Sequence, residues 1–331
     1  MKKLLNAPTA YVDEVLDGLT LAHPSLVRDG TAGRVIRRAS GIRSGKVGIA
    51  SGGGSGHLPL FTGYVGSGLI DTCAIGNVFE GPNIDSCMDA IRLANGGRGV
   101  LRLYGNYGGD RMNFDMAGEF LEEERIHTTT VLGTDDIASG TQDERQKRRG
   151  VAGLIYAYKA AGAKAEEGAD LDEVTRVARK AVDATRTIGV ALAPCRVPTA
   201  DRPTFSLAGD EIEMGMGIHG EPGIWRDKLK PADAVVDEMI DRLLADQPVT
   251  TGRISILVNG LGATPLEELF ILYRRAAERL RQAKIEIVQP LVGNYVTSME
   301  MAGASISLHA IDDELATLLA APADCPFWRV P

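Results

Sequence analysis

The sequence predicts an α/β protein in two domains, an N-terminal, mostly parallel α/β sheet followed by a smaller α+β domain. Three observations support this prediction. The chain has 331 residues, which is long enough for two domains. Strand-like runs alternate with helical runs through the first half, as in a parallel sheet. From Ile188 to Ile218 short strand-like runs follow one another without helices between them. We place the boundary between residues 186 and 187, which gives domains 1–186 and 187–331.

In the first domain, short apolar runs bounded by glycine predict strands, and apolar residues spaced three and four apart predict helices. The predicted strands cover residues 46–50, 71–76, 99–104 and 128–132, and the predicted helices cover 84–95, 112–123, 151–167 and 171–184. In a parallel sheet, ligands bind where the strands end at their carboxyl side. Two glycine-rich stretches, 51–57 and 105–109, follow predicted strands, so we expect the binding site there.

In the second domain the same criteria predict a sheet with fewer helices. The predicted strands cover residues 188–192, 204–207, 211–218, 254–258, 285–291 and 304–309. The predicted helices cover 233–245 and 313–319, and a long helix begins near Leu266.

Composition and charge exclude several classes of function. The net charge is −8 and no basic run occurs, which argues against nucleic-acid binding. The four cysteines are scattered without a Cys-x-x-Cys pair, so neither a disulfide framework nor a structural zinc site is predicted. No apolar run approaches the length of a membrane span. We therefore expect a soluble, cytoplasmic protein that binds neither nucleic acid nor membrane.

The stretch 51–57, Ser-Gly-Gly-Gly-Ser-Gly-His, is expected to be a turn that bends through positive φ and approaches a small ligand. It fits neither common phosphate-binding motif, because His57 stands where a third glycine is needed and no lysine follows. One interpretation is a cradle for a small polar molecule, with His57 in contact with it. The other is a tight strand-to-helix turn with a surface histidine, and both remain open at this point.

The five histidines divide by context. His57 and His219 lie in glycine-rich turns at strand ends, whereas the other three lack such a context and are interpreted as structural. No His-x-x-x-His pair or nearby acidic set accompanies them, so no metal site is predicted. Ser55 is not the nucleophile of a Gly-x-Ser-x-Gly elbow, because His57 stands where the second glycine is required.

Asp110 follows the second glycine-rich stretch. A carboxylate beside His57, on loops leaving neighbouring strands, would suit proton transfer to or from a hydroxyl group. The alternative is that Asp110 caps a helix beginning near Met112. Caps are common, so the residues alone slightly favour the cap.

Several short blocks form one pattern in order along nearly the whole chain: residues 52–57, 106–110, 112–114, 148–152, 213–223, 257–262 and 312–315. Together they resemble the substrate-binding K subunit of dihydroxyacetone kinases. The block Gly-Ile-His-Gly-Glu-Pro-Gly, residues 217–223, is the most specific of them. The resemblance implies a two-domain K fold that is usually homodimeric.

The resemblance also implies roles for individual residues. His219 would bond covalently to the carbonyl carbon of a short ketose and form a hemiaminal, since a neutral imidazole is a competent nucleophile. His57 would hydrogen-bond the substrate and assist proton movement, and Asp110 would act as the base on the hydroxyl that receives phosphate. The substrate-binding positions implied around them are Gly53, Gly54, Ser55, Gly56 and Gly105.

The resemblance further implies a partner. No cofactor is expected in this chain, because members of this family hold ATP or ADP with Mg²⁺ on an L domain or subunit. The chain is therefore expected to need an L-type subunit. That subunit either uses ATP or keeps its nucleotide and is recharged by a phosphotransferase-system protein.

Three departures from the family pattern leave the substrate open. Leu58 stands where glutamate is common, Gly105 replaces a common lysine, and residues 79–82 read Phe-Glu-Gly-Pro instead of Phe-Ala-Ser-Pro. The loss of a long cationic side chain makes room, so a tetrulose such as erythrulose is an alternative to dihydroxyacetone. A non-catalytic ketose-sensing co-regulator is a second alternative. The presence of both His57 and Asp110 favours the enzyme, because sensing needs His219 but no base.

Overall fold

The computed structural model describes residues 2–246 and 252–331. The helices are α1 (Tyr11–Ala22), α2 (Ile84–Ala94), α3 (Gly108–Glu123), α4 (Leu154–Glu166), α5 (Leu171–Asp183), α6 (Ala232–Asp246), α7 (Leu266–Gln282) and α8 (Asp313–Ala320). The strands are β1 (Leu26–Asp29), β2 (Val35–Arg38), β3 (Gly48–Ser55), β4 (Thr72–Val78), β5 (Val100–Gly105), β6 (Thr128–Gly133), β7 (Thr185–Ala193), β8 (Glu211–Met214), β9 (Trp225–Lys228), β10 (Arg253–Gly260), β11 (Glu286–Gly293), β12 (Ala302–Ala310), β13 (Ala323–Asp324) and β14 (Arg329–Val330). Within the described ranges, no helix has the length and apolar character needed to cross a membrane.

The chain divides into two compact units that interleave in sequence. The N-terminal unit comprises Met1–Gly133, Ile155–Lys180 and Thr317–Pro331, and the C-terminal unit comprises Thr134–Leu154 and Ala181–Ala316. The sequence predicts one domain boundary, between residues 186 and 187. In the structure each unit is built from more than one segment of the chain.

The N-terminal unit contains a sheet with the strand order β1-β2-β4-β3-β5-β6. Strands β4, β3, β5 and β6 are mutually parallel, and β1 and β2 add an antiparallel edge. Helices α2 and α3 pack against one face around Ile91, Phe114 and Leu121. On the other face, Tyr158 of α4 hydrogen-bonds Ser51 of β3 at 2.6 Å. The mostly parallel sheet is as the alternating pattern predicts, because strands covered on both faces read as short apolar runs.

The C-terminal unit contains a mixed sheet with the order β11-β10-β12-β7-β8-β9, in which β10 and β11 are the parallel pair. The apolar faces of α6 and α7 pack on it. This agrees with the predicted α+β domain. The predicted strand over 204–207 is wrong, because Thr204 instead closes a loop by donating its backbone N–H to Cys195 O at 2.9 Å. The strand predicted over 211–218 ends early, at Met214, because Gly215 turns the chain with φ of +79°.

Candidate functional site

The glycine-rich stretch is mostly strand, not turn. Residues 51–55 form the buried end of β3, and the expected bend begins only at Gly56, where φ is +101°. The other glycines are needed for close packing. A Cβ on Gly52 would stand 2.5 Å from Ala74 O, and one on Gly53 would stand 2.2 Å from the Phe61 ring. Both distances are too short for a side chain, so the sequence prediction of a four-glycine turn is corrected to a tightly packed strand that ends in a turn.

His57 lies in that turn and is buried, with 1% of its surface exposed, so the interpretation as a surface histidine is wrong. Its ring stacks on Phe79, with ring centroids 5.0 Å apart and planes 20° apart. The ring of Phe61 approaches it edge-on, with centroids 6.2 Å apart.

Phe61 and Phe79 have φ of +70° and +63°, in the region that favours glycine. Strained backbone of this kind is concentrated at functional sites. The two aromatic residues fix the plane of the imidazole.

Asp110 lies in the first turn of α3, two residues after the helix begins at Gly108. The predicted cap of a helix starting at Met112 is therefore wrong: Tyr107 occupies the N-cap and makes no side-chain capping bond. The Asp110 side chain is buried, with 7% exposed, and its Oδ1 lies against Gly81. The helix N-terminus favours a negative charge at this position. Burial raises the pKa of the nearby Cys87 thiol, and the charge of Asp110 raises it further.

His57 and Asp110 follow adjacent strands of one sheet, as the proton-transfer hypothesis requires. Strands β3 and β5 are parallel neighbours, and the two residues lie just beyond their carboxyl ends. The segment between Phe79 and Gly81 connects them, since Phe79 stacks on His57 and Gly81 lies against Asp110. The sheet thus places the predicted residues of the N-terminal unit at the carboxyl ends of its parallel strands.

The predicted substrate-binding glycines lie at the same edge. A Cβ on Gly54 would stand 2.8 Å from the backbone nitrogen of Glu80. The Ser55 carbonyl accepts a hydrogen bond from the Phe79 backbone N–H at 3.0 Å. Gly105 is buried, ends β5 and pairs with Gly133 of β6. The contact at Gly54 explains why glycine is needed at that position, and contact of these residues with a substrate remains a prediction.

His219 belongs to the C-terminal unit and lies in the turn after β8. Its Nδ1 is 2.9 Å from Glu221 Oε1, and its backbone N–H donates to Glu221 Oε2 at 2.9 Å. About a fifth of the imidazole side chain, 22%, is exposed. Ser298 Oγ donates to the carbonyl of the preceding Ile218 and secures the turn. The histidine is therefore held from its backbone and from one ring nitrogen.

Glu221 was not singled out by the sequence prediction, although it lies only two residues beyond His219. Burial opposes its ionisation, but the hydrogen bond from His219, the charge which that ring carries when it is protonated, and the charge of Arg149 outweigh it and lower the pKa of Glu221 to about 2. Arg149 is 3.8 Å from Glu221 Oε2 and donates to Asp136 Oδ2 at 2.9 Å. A Cβ on Gly217 would stand 2.2 Å from Glu221 Oε2, so glycine is needed there. The sequence feature that could have pointed to Glu221 is a carboxylate two residues after a histidine within a glycine-rich turn.

The remaining histidines and possible metal ligands lie elsewhere. His309 is fully buried in β12, where its Nδ1 is 2.9 Å from Thr185 Oγ1. His23 packs on Phe327 with ring centroids 5.7 Å apart. Over residues 2–246 and 252–331, no group of three or more His, Cys, Asp or Glu side chains is arranged to hold a metal ion.

Two curated relatives match nearly the whole chain. The chain is 42% identical to the L-erythrulose 1-kinase of Mycolicibacterium smegmatis over 99% of its own length but only 58% of that protein. It is 43% identical to the dihydroxyacetone-binding subunit DhaK of PTS-dependent dihydroxyacetone kinase 2 of Listeria innocua, with both chains fully covered. The chain thus spans little more than half of the first relative and the whole of the second.

Solved structures give the same picture. The dihydroxyacetone kinase of C. freundii in complex with AMP-PNP and Mg²⁺ matches with a TM-score of 0.91 and 32% identity, over 100% of this chain and 61% of that one. The dihydroxyacetone kinase operon co-activator Dha-DhaQ matches with a TM-score of 0.89 and 33% identity, over 95% and 97% of the two chains. The Dak1 domain model matches residues 17–327. The resemblance seen in the sequence motifs is confirmed, and this chain belongs to the Dak1 family.

Proposed function

We propose that this chain is the ketose-binding subunit of a dihydroxyacetone kinase-type phosphotransferase with an alcohol acceptor. It captures dihydroxyacetone or a similar short ketose as a hemiaminal on His219, and an L-type partner then phosphorylates a hydroxyl group of the bound ketose. The observation that carries the proposal is the pairing of His219 Nδ1 with Glu221 Oε1 at 2.9 Å in a partly exposed turn.

Covalent capture follows from the chemistry of that pair. A carboxylate only accepts hydrogen bonds, so Nδ1 carries the proton and the lone pair of the neutral ring is on Nε2. That lone pair forms a bond to the ketose carbonyl carbon, and the π electrons of the C=O bond move to oxygen. The oxygen takes one proton from water, the resulting hydroxide leaves to the solvent, and the ring becomes a cation beside the Glu221 carboxylate. Polyols such as glycerol have no carbonyl group and would be excluded.

His57 and Asp110 are assigned to the hydroxyl group that is phosphorylated. In this proposal His57 hydrogen-bonds the ketose and assists proton movement, and Asp110 removes the hydroxyl proton as phosphate arrives. Their burial beyond adjacent parallel strands supports these roles, because ligands of such sheets bind at that edge. Gly53, Gly54, Ser55, Gly56 and Gly105 would form the backbone wall of the site.

The phosphoryl donor belongs to a partner in this proposal. Phosphoryl transfer depends on positioning nucleotide phosphates and Mg²⁺. The C. freundii kinase that was solved with AMP-PNP and Mg²⁺ is a longer chain, of which this one matches 61%. We therefore assign ATP or ADP with Mg²⁺ to an L-type subunit, recharged directly by ATP or by a phosphotransferase-system protein. Assembly of this chain as a cytoplasmic homodimer belongs to the same proposal.

A tetrulose is the second candidate substrate. The similarity to the L-erythrulose 1-kinase is as high as that to the dihydroxyacetone-binding subunit, at 42% and 43% identity. The replacement of the family lysine by Gly105 also favours a longer ketose. The similarity to the Dha-DhaQ co-activator supports a third candidate, a ketose-sensing co-regulator.

The test is to mix the purified protein with dihydroxyacetone or erythrulose labelled with ¹³C at the carbonyl carbon. The ketone resonance should be replaced by that of a tetrahedral carbon in the wild type but not in His219→Ala. Unchanged affinity of His219→Ala for the ketose would contradict capture. Addition of an L-type partner and ATP should then yield the ketose phosphate, whereas an adduct without any phosphorylation would favour the co-regulator.

A further inference from the structure

We propose that Glu221 is a positioning residue that holds the neutral His219 ring with its proton on Nδ1, so that Nε2 is the nitrogen that bonds to the ketose. This inference rests on the proposed capture of a ketose by His219.

Glu221 contacts His219 at two points. Glu221 Oε1 lies 2.9 Å from His219 Nδ1, and Oε2 accepts the His219 backbone N–H at 2.9 Å. A neutral imidazole free in water populates both tautomers, and the hydrogen bond made by one nitrogen decides which of them is present. Since both carboxylate oxygens are occupied by donors of the same residue, the tautomer and the orientation of the ring are set together.

The charge of Glu221 also suits a ring that becomes cationic. Capture of the ketose through Nε2 leaves a positive charge on the ring, and the Glu221 carboxylate lies directly beside it. Arg149 is 3.8 Å from Glu221 and is itself paired with Asp136 at 2.8 Å. Charges therefore alternate in sign from Asp136 through Arg149 to Glu221 before capture, and the cationic ring extends the series after capture, so the ionised carboxylate is favoured in both states.

The absence of a side chain at Gly217 leaves space for the carboxylate of Glu221 and the guanidinium of Arg149. A Cβ on Gly217 would stand 2.2 Å from Glu221 Oε2 and 2.7 Å from Arg149 Nη1. Any other residue at position 217 would push the carboxylate and the guanidinium away from their present positions.

The test compares Glu221→Gln with a control residue in β8 that contacts the same turn. In glutamine one of the two carboxylate oxygens is replaced by an NH₂ group, which only donates, so Nδ1–H and the backbone N–H no longer each have an acceptor oxygen of their own. Glu213 is the matched control, because its Oε1 accepts the Gly223 N–H at 2.7 Å and no hydrogen bond or ion pair between its side chain and His219 is among those described. The variants are Glu221→Gln, Glu221→Asp and Glu213→Gln.

The main readout is the ¹⁵N NMR spectrum of ligand-free, histidine-labelled protein, with the His219 signals identified by their loss in His219→Ala. We expect Nδ1–H in the wild type, in Glu213→Gln and in Glu221→Asp, which keeps the carboxylate. Glu221→Gln should shift toward Nε2–H, and its ketose affinity should fall by about 10- to 100-fold, the scale of a hydrogen bond to a charged group.

A wild-type tautomer together with wild-type affinity in Glu221→Gln would overturn the inference. Equal losses in Glu221→Gln and Glu213→Gln, without a change of tautomer, would also overturn it, because they would assign Glu221 to the structure of the turn. The tautomer measurement needs no ketose. A wild type that shows Nδ1–H but forms no adduct would therefore overturn the proposed function while supporting the role of Glu221 in setting the ring.

Discussion

The carboxylate of Asp110 lies directly against Gly81, where a Cβ added to the glycine would stand 2.2 Å from Oδ1. Two residues before Gly81, the Phe79 ring stacks on His57. One short segment therefore supports both side chains that are proposed to handle the substrate hydroxyl. Asp110 lies inside the first turn of α3 instead of capping it, so its burial needs another explanation than helix capping. A catalytic base is the explanation that the following two predictions test.

Asp110→Asn should keep ketose binding and lower phosphorylation by about 10² or more, because the amide keeps the shape and cannot accept the proton. The measurement is turnover with the L-type partner, alongside adduct formation by ¹³C NMR. Asp115→Asn is the control, since Asp115 lies on the same helix with 51% of its side chain exposed. Turnover of Asp110→Asn near the wild-type rate would exclude Asp110 as the base.

Gly81→Ala should impair catalysis without removing any charge. The new methyl group would force the Asp110 carboxylate to move, and misplacement of a catalytic group by about 1 Å can cost roughly 10²-fold in rate. Gly109→Ala is the control, because a Cβ there has no heavy atom within 4 Å although it adjoins Asp110. The steady-state rates of both variants with the L-type partner are compared. A Gly81→Ala variant as active as Gly109→Ala would show that the position of Asp110 is not critical.

The parallel sheet was predictable because its strands are short apolar runs bounded by glycine. The prediction of a strand over 99–104 differs by one residue from β5 (Val100–Gly105). The end of β3 was not predictable in this way, since glycine and serine carry no apolar alternation. Its strand conformation depends on pairing with Ala74 of β4 and on packing against Phe61, which follows the turn.

Candidate site residues could be proposed where a reactive side chain has a distinctive sequence context. His57, Asp110 and His219 were proposed from glycine-rich turns and from the family resemblance, and their roles remain predictions. The burial of His57 between Phe61 and Phe79 could not be read from the sequence, because positive φ in two aromatic residues is contrary to their backbone preference. Glu221 lies within the motif Gly-Ile-His-Gly-Glu-Pro-Gly, residues 217–223, but its contact with the histidine depends on the backbone conformation of the turn.

The stability of the protein should fall at mildly acidic pH because of His309. Burial lowers the pKa of His309 to about 3, against a smaller opposing effect of Asp312. An unfolded histidine has a pKa of about 6.5, so between that value and about 3 the unfolded state binds a proton that the folded state does not. The contribution of neutral His309 to the free energy of unfolding is thus fully present above about pH 6.5. It decreases by about 1.4 kcal/mol per pH unit as the pH falls from there toward about 3.

Urea unfolding at pH 7.5 and pH 5 measures this effect. His309→Asn keeps a polar group near Thr185 and cannot titrate, so its loss of stability between the two pH values should be smaller than that of the wild type by about 2 kcal/mol. His127→Asn, at an exposed position, is the control. Equal losses in the wild type and His309→Asn would show that His309 does not control acid stability.

The choice of substrate should follow from Gly105. This buried residue ends β5, five residues before Asp110, at a position where the family commonly has a lysine. We expect the absence of that side chain to leave room for the extra hydroxymethyl group of a tetrulose, whereas dihydroxyacetone would merely lack the added contacts. We therefore expect a kcat/KM for erythrulose at least equal to that for dihydroxyacetone, measured side by side with the matched L-type partner.

Gly105→Lys should shift the preference toward dihydroxyacetone, and Gly105→Ala serves as the control for a side chain without charge or length. A wild type that prefers dihydroxyacetone by about tenfold, or about 1.4 kcal/mol in transition-state stabilisation, would show that the glycine is neutral and that the natural substrate is the triose.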